Sequence, residues 1–331
     1  MKKIRILQVG YQHAHGPFTL DSLLRLPDYF DVVGLADEDP ETAKKKVKNA
    51  PAFYSIEEAL KLDIDAVTIE CEEDQATKYA QMFADKGVHV HLDKPGSQDI
   101  KAFHRLADTL KEKNLVFHLG YMYRYNPAII DAVNMAKNGA LGDIFAVEAQ
   151  MSVKHARERR QWLADYKGGM MYYLGCHLID IVYRICGEPK EIIPLNCSTG
   201  VDGIVSEDYG FVVFKYDNGV SFVKTNASEY NGFDRRQLVI TGSLGSVELK
   251  PLEILTSGTE LHTLTALTLE KDNPRIWGDG AKRLRSDSVD RYDVMMSNFA
   301  RCILGEKENE YTHDYEKRLF DLVMKCCGVT E

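Results

Sequence analysis

A carboxylate and an amine stand side by side in Asp93-Lys94-Pro95, directly after a β-type run over residues 88–92. A lysine at the end of a parallel strand can take or give the proton of a reacting hydroxyl if partial burial or a nearby positive charge lowers its pKa. Pro95 stiffens the chain just after it. A second constellation, Gly10-Tyr-Gln-His-Ala-His-Gly16, follows the apolar run 4–9 and precedes a helical pattern opened by Pro17. Its outer glycines match the dinucleotide fingerprint, and Gln12 stands at the middle glycine position. A turn backbone and a helix N-terminus can still hold phosphate there. Asp37 closes the next strand, where a carboxylate accepts both ribose hydroxyls of an adenosine and repels a 2′-phosphate. Glu38 and Asp39 follow it, with no arginine, so the expected cofactor is NAD in preference to NADP. The plainer reading makes Gly10 and Gly16 a mere strand–helix turn and Asp37 a solvated strand end.

Histidines surround both motifs. His13 is expected to pack or hydrogen-bond near the cofactor. Two histidines at i, i+2 in a turn, with no cysteine or HxxxH nearby, are a weak metal signal, and no metal site is expected. His89 and His91 share one face of a strand and read as core or interface histidines.

The elements that position these groups alternate. Strands over 4–9, 31–36, 66–69, 88–92 and 115–118 are separated by helical patterns, with a capping-box spacing at Ser55 and Glu58. That order predicts a mostly parallel, doubly wound sheet with helices on both faces. Right-handed crossovers place Gly10, Asp37, the stretch 69–73 and Asp93-Lys94 at one edge, where ligands of such sheets bind.

The second half reads differently. Asn126-Pro127 starts a helix. A long strand is expected over 142–153, then a basic stretch, Lys154–Trp162, with Glu158 its one acid. It reads as a rim attracting a polyol, sugar acid or phosphate, with Trp162 stacking on an apolar sugar face, or else as a solvated loop. The glycines of Lys167-Gly168-Gly169 let the loop approach substrate, with Lys167 in reach. Hairpins are expected around Asp217-Asn218-Gly219 and around 242–245, giving an antiparallel sheet whose open face must be covered. The charged stretch 270–287 reads as a loop over the cleft, and helices are expected over 289–304 and 315–326.

The chain has 331 residues, enough for two domains, expected at 1–121 and 122–331. Its formal net charge of -9 makes nucleic acid a poor partner. Seven scattered cysteines without a CxxC pair suit a reducing compartment. No apolar run approaches membrane-spanning length, and the charged N-terminus is no signal peptide. A cytoplasmic protein with no membrane association is the expectation.

Several of these motifs, in this order, resemble the glucose–fructose oxidoreductase / inositol dehydrogenase (Gfo/Idh/MocA) family over nearly the whole chain. The family's Glu-Lys-Pro motif matches Asp93-Lys94-Pro95. Its aromatic-Arg-x-Asn-Pro segment matches Tyr123-Arg124-Tyr125-Asn126-Pro127. Its glycine-rich run and Asp-x-Gly-x-His-x-x-Asp match Lys167-Gly168-Gly169 and then Tyr173, Gly175, His177 and Asp180. The departures are Asp93 for glutamate, Tyr173 for aspartate, and Cys71-Glu72-Glu73 with Ala76 where the family often has Thr-Pro-Asn and a histidine. The resemblance implies an N-terminal Rossmann domain followed by an α/β domain with a large, mostly antiparallel sheet. It also implies hydride transfer between a nicotinamide cofactor and a sugar, inositol or related polyol, with Lys94 and His177 handling the proton. Gly10, Gln12, His13, Gly16, Asp37, Cys71, Asp93, Lys94 and Pro95 are the expected cofactor residues. Arg124, Trp162, Lys167, Tyr173 and Asp180 are the expected substrate residues. A homodimer or homotetramer through the C-terminal sheet is the implied assembly. Two other outcomes suit the same residues: a redox-elimination glycosidase-type enzyme, and a non-catalytic sugar- or nucleotide-binding regulatory protein.

Overall fold

The alternation of β-branched runs and amphipathic helices resolves into one parallel sheet in a computed structural model that describes residues 3–272 and 280–329. Strands β1 (Ile4–Val9), β2 (Phe30–Asp37), β3 (Phe53–Ser55), β4 (Ala66–Ile69), β5 (His89–Leu92) and β6 (Phe117–Leu119) lie in the order β3-β2-β1-β4-β5-β6. Every pairing is parallel. All of β4 and nearly all of β1 are buried, as a sheet covered on both faces requires. The strand order reverses between β1 and β4, and the crevice outside the carboxyl ends at that point is where such sheets bind ligands. β3 is a strand that periodicity did not announce; with only Phe53–Ser55 it is too short to show a period.

Helices α1 (Gly16–Arg25), α2 (Pro40–Lys46), α3 (Ile56–Ala59), α4 (Glu73–Asp85) and α5 (Ile100–Glu112) connect the strands. Their starts follow side-chain chemistry. Asp39 accepts the Thr42 N–H, Asp99 accepts the Ala102 N–H, and Ser55 and Glu58 cap each other's backbone reciprocally. Residues Met1–Met122 form one compact unit together with Tyr292–Phe320. That later segment supplies core to the unit. Phe320 stacks on Phe103 with ring centroids 4.0 Å apart, and Phe299 lies 5.1 Å from the His118 ring.

The second unit is Tyr123–Arg291 with Asp321–Glu331. It begins with α6 (Pro127–Lys137), whose N-cap Asn126 accepts the Ala128 and Ile129 N–H groups. β7 (Ile144–Ser152), α7 (Arg157–Trp162), α8 (Cys176–Cys186), β8 (Glu191–Pro194), β9 (Tyr209–Tyr216), β10 (Gly219–Asn226), β11 (Gln237–Gly242) and β12 (Gly245–Leu249) follow. β13 (Ile254–Ser257), β14 (Glu260–His262), β15 (Leu264–Leu269), β16 (Lys282–Arg285) and β17 (Val289–Asp290) complete the strands. Eight strands pair in the order β16-β15-β12-β11-β7-β10-β9-β8, all antiparallel except β7 with β10. Both expected hairpins are present, β9–β10 and β11–β12.

Three expectations need correction. The stretch 270–287 is not simply a loop, because β16 pairs with β15 within it; residues 273–279 lie outside the described residues. Residues 289–290 form β17, and the helix is Arg291–Ile303. The basic stretch after β7 is not a loop either, because Arg157–Trp162 is helical.

Candidate active site

The edge of the parallel sheet carries the sequence motifs in two adjoining places. Beyond β1 and β2 a cavity of about 280 Å³ is lined by Gly10, Gln12, Asp37, Thr42, Cys71 and Tyr79, among others. Gly10 has φ +78°, and a Cβ there would come within 2.5 Å of the Cys71 Cα, so only glycine lets the turn pass so close to the chain after β4. Asp37 is buried, not a solvated strand end. Its Oδ1 accepts the Asp39 N–H at 2.9 Å, and its Oδ2 accepts from Gln12 Nε2 at 2.7 Å. Gln12, at the middle fingerprint position, lines the cavity and is tied to the carboxylate expected to read a ribose. Glu38 accepts a hydrogen bond from the Tyr79 hydroxyl, and burial with that carboxylate raises the Tyr79 pKa. The arrangement fits the adenosine half of a dinucleotide: a glycine turn packed against the chain after β4, a carboxylate at the second strand end and a cavity between them.

The second place lies beyond β1, β4 and β5. The His13 N–H donates to the Glu70 carbonyl at 3.1 Å, which folds the glycine turn over the strand ends. Lys94 is only 1% exposed, with Nζ 3.8 Å from Asp93 Oδ2. Asp93 Oδ1 and His15 Nδ1 are hydrogen-bonded at 2.9 Å. His13 Nε2 sits 3.1 Å from Asp93 Oδ2 and 3.5 Å from Glu73 Oε1. On the other side of that ring, Nδ1 lies 3.6 Å from Glu70 Oε2 and accepts the His15 N–H at 3.3 Å. The Thr19 hydroxyl donates to Glu70 Oε1 at 2.8 Å.

Burial and the Asp93 charge push the Glu70 carboxyl well above its ordinary value. Burial also acts to raise Asp93, but His13, His15 and Lys94 outweigh it and hold that carboxyl low. Burial lowers His91 to about 4, so this imidazole is neutral, with Nδ1 2.7 Å from His118 Nδ1. His89 Nδ1 accepts the Val116 N–H, the settled role expected of it.

In the second unit, His177 is the second residue of α8, buried, with Tyr123 edge-on at 4.9 Å. A π-helical turn over Met171–Gly175 leads into α8 and carries Tyr173. Arg124 and Asp180 form a buried fork, Nε and Nη2 to the carboxylate at 2.9–3.2 Å, so each occupies the other's hydrogen-bonding face. Tyr173 contacts Trp162 edge-on at 5.3 Å, and the Arg159 guanidinium lies over the Trp162 ring at 4.6 Å. The basic stretch is largely engaged locally: Arg160 pairs with Asp202, Arg157 donates to the Asp202 carbonyl, and Lys154 sits over Tyr230. Lys167 is exposed. Gly168, at φ +81°, would bring a Cβ within 2.4 Å of Cys327, so the close approach it permits is packing inside the unit.

Sequence reasoning missed His15, Glu70 and Glu73 as members of the Lys94 surroundings. The signal was available, since the acidic run after β4 and the histidines after β1 were both assigned to the same sheet edge. It also missed Glu253, which joins Tyr123, Arg236 and Arg291; nothing local marks that glutamate.

Residues 4–121 match the family model for oxidoreductases with an NAD-binding Rossmann fold, and residues 129–248 match the GFO/IDH/MocA C-terminal domain. The chain is similar to D-xylose 1-dehydrogenase (NADP(+)) 2 of Haloferax volcanii, at 23% identity over 56% of this chain and 57% of the relative. It is similar to scyllo-inositol 2-dehydrogenase (NADP(+)) of Bacillus subtilis, at 21% identity over 69% of this chain and 65% of the relative. The chain thus spans less than two thirds of the length of these curated relatives. Among solved structures, the 3-ketoreductase KijD10 of Actinomadura kijaniata, in complex with NADP and TDP-benzene, superposes with a TM-score of 0.78 at 17% identity. That likeness covers 97% of this chain and 96% of the other, and it shows a shared fold. No helix among the described residues is long and apolar enough to cross a membrane. With both of its domain models matched in order along the chain, the protein belongs to the GFO/IDH/MocA family of oxidoreductases with an NAD(P)-binding Rossmann domain.

Proposed function

We propose that the chain is a dehydrogenase that moves a hydride between NAD and a sugar, inositol or related polyol. The observation that carries this reading is Lys94, a buried amine at the end of β5, on the same sheet edge as the Gly10–Asp37 cavity. Gly10, Gly16 and Cys71 shape the cradle, and Asp37 receives the adenosine ribose. The bound nicotinamide supplies the hydride acceptor or donor. Lys94 Nζ takes the hydroxyl proton in oxidation and returns it in reduction, with Asp93 orienting the amine. His177 hydrogen-bonds the reacting oxygen, a role carried by its place in the family motif.

The cofactor preference rests on charge. The similar dehydrogenases named above are NADP(+) enzymes. Here Asp37, Glu38 and Asp39 line the cavity together, and a 2′-phosphate would enter a cluster of like charge. Titration of NADH and NADPH by fluorescence checks this, with NADH binding the tighter. Freeing Asp37 by Gln12→Gly tightens NADH by about three- to tenfold, the worth of one hydrogen bond. A panel of polyols and sugars followed through NADH formation tests the reaction. Lys94→Ala abolishes turnover while leaving NADH binding intact; activity that survives it removes Lys94 as the proton carrier.

The Gln12–Asp37 hydrogen bond favours a second reading, a binding protein that keeps the fold. NADH binding with no turnover of any panel member would select it. The half-buried Phe211, Val213 and Phe222 on one face of the large sheet suit coverage by a second copy of the chain, which light scattering tests.

A further inference from the structure

We propose that His13, His15 and Asp93, with Glu73 beside them, form a site for one divalent transition-metal cation of the zinc class. The site shares Asp93 with the hydride-transfer reading, and its test reads metal binding apart from turnover. Two imidazoles and a carboxylate are donors that suit zinc, iron and manganese. One ligand atom from each of His13, His15 and Asp93 lies within 4.8 Å of the others. Tetrahedral zinc ligands stand about 2.0–2.1 Å from the ion, hence roughly 3.3 Å from one another. His13 Nε2 lies 3.1 Å from Asp93 Oδ2 and 3.5 Å from Glu73 Oε1, edges of that size.

Two further observations point to a cation. Asp93 Oδ2 is a buried acceptor with no hydrogen-bond partner among the described residues, and it faces His13 Nε2. Such atoms are costly unless something positive meets them. The buried carboxylates Glu70, Glu73 and Asp93 also exceed the one buried amine, Lys94, so the cluster needs either protons or a doubly charged ion. His15 has 18% of its side chain exposed and gives the ion a way in. On loading, the proton in the His15–Asp93 hydrogen bond leaves to solvent.

The test uses the full chain, stripped with a chelator and titrated with Co²⁺ while its visible absorption is recorded. The expected result is saturation at one Co²⁺ per chain, reversed by Zn²⁺. His15→Ala, at the partly exposed ligand and least dangerous to folding, weakens Co²⁺ binding by at least about tenfold. Failure of the unaltered chain to show saturable Co²⁺ bands overturns the proposal and assigns the charge balance to protons. A His15→Ala chain with native circular dichroism and an unchanged titration overturns it equally. Should that variant not fold, Asp93→Asn takes its place, and an unchanged titration in it overturns the proposal.

Discussion

Each unit buries a glutamate among charged groups, and the two solve the problem in opposite ways. In the second unit both oxygens of Glu253 are used: Oε1 accepts from Arg291 at 2.8 Å, and Oε2 accepts from the Tyr123 hydroxyl at 2.6 Å and from Arg236. Burial raises this carboxyl, but the Arg236 and Arg291 guanidiniums outweigh it, and its pKa falls below the ordinary value. In the first unit Glu70 has one hydroxyl donor, from Thr19, and its neighbours Asp93 and Glu73 are like charges. Cation excess with both carboxylate oxygens hydrogen-bonded marks a network that holds a fold. Carboxylate excess with orphaned oxygens marks a place where a proton or an ion is exchanged.

The contrast breaks most visibly at Glu253. Glu253→Gln leaves two guanidiniums facing a neutral amide and costs about 3–5 kcal/mol, read as a lower urea midpoint. A smaller loss would mean the network is no stronger than a surface pair. Glu70→Gln has the opposite sign: it removes a carboxyl whose charged form burial and Asp93 disfavour, so stability stays within about 1 kcal/mol of the parent or rises. A loss as large as that at Glu253 would erase the distinction between the two clusters. The smallest effect is in acid. The Glu253 carboxyl has a lower pKa folded than unfolded, so its stabilisation is complete above the unfolded value of about 4.3 and is lost as pH falls through the folded value. Urea midpoints measured against pH therefore fall less steeply below pH ~4 in Glu253→Gln than in the parent.

Much of the scaffold was legible because local chemistry and global fold agree. The capping box at Ser55, the Asn126-Pro127 helix start and the Asp217-Asn218-Gly219 hairpin are local signals, and each appears where its residues stand. β16 was not legible because Lys-Arg-Leu-Arg has no alternation and all of it is exposed. α7 was obscured by its arginines, which read as a solvated rim until Arg160 is seen buried against Asp202. The parallel pairing of β7 with β10 has no local signature. The Lys94 surroundings were half legible. Lys94 and Asp93 follow from their place after a strand, whereas Glu70 and Glu73 look like surface acids in a run of four and become buried only when the glycine turn closes over them.

The late segment Tyr292–Phe320, which belongs to the first unit, has a consequence in time. A nascent chain emerges from the N-terminus, so β1 to β6 are synthesised before the helix that places Phe320 on Phe103. The half of the molecule begun first is not finished until residue 320 has been made. Until the ribosome reaches residue 320, Phe103 and Phe117 lack part of their cover, and a message cut short after the large sheet leaves an incomplete nucleotide-binding half exposed to chaperones and proteases.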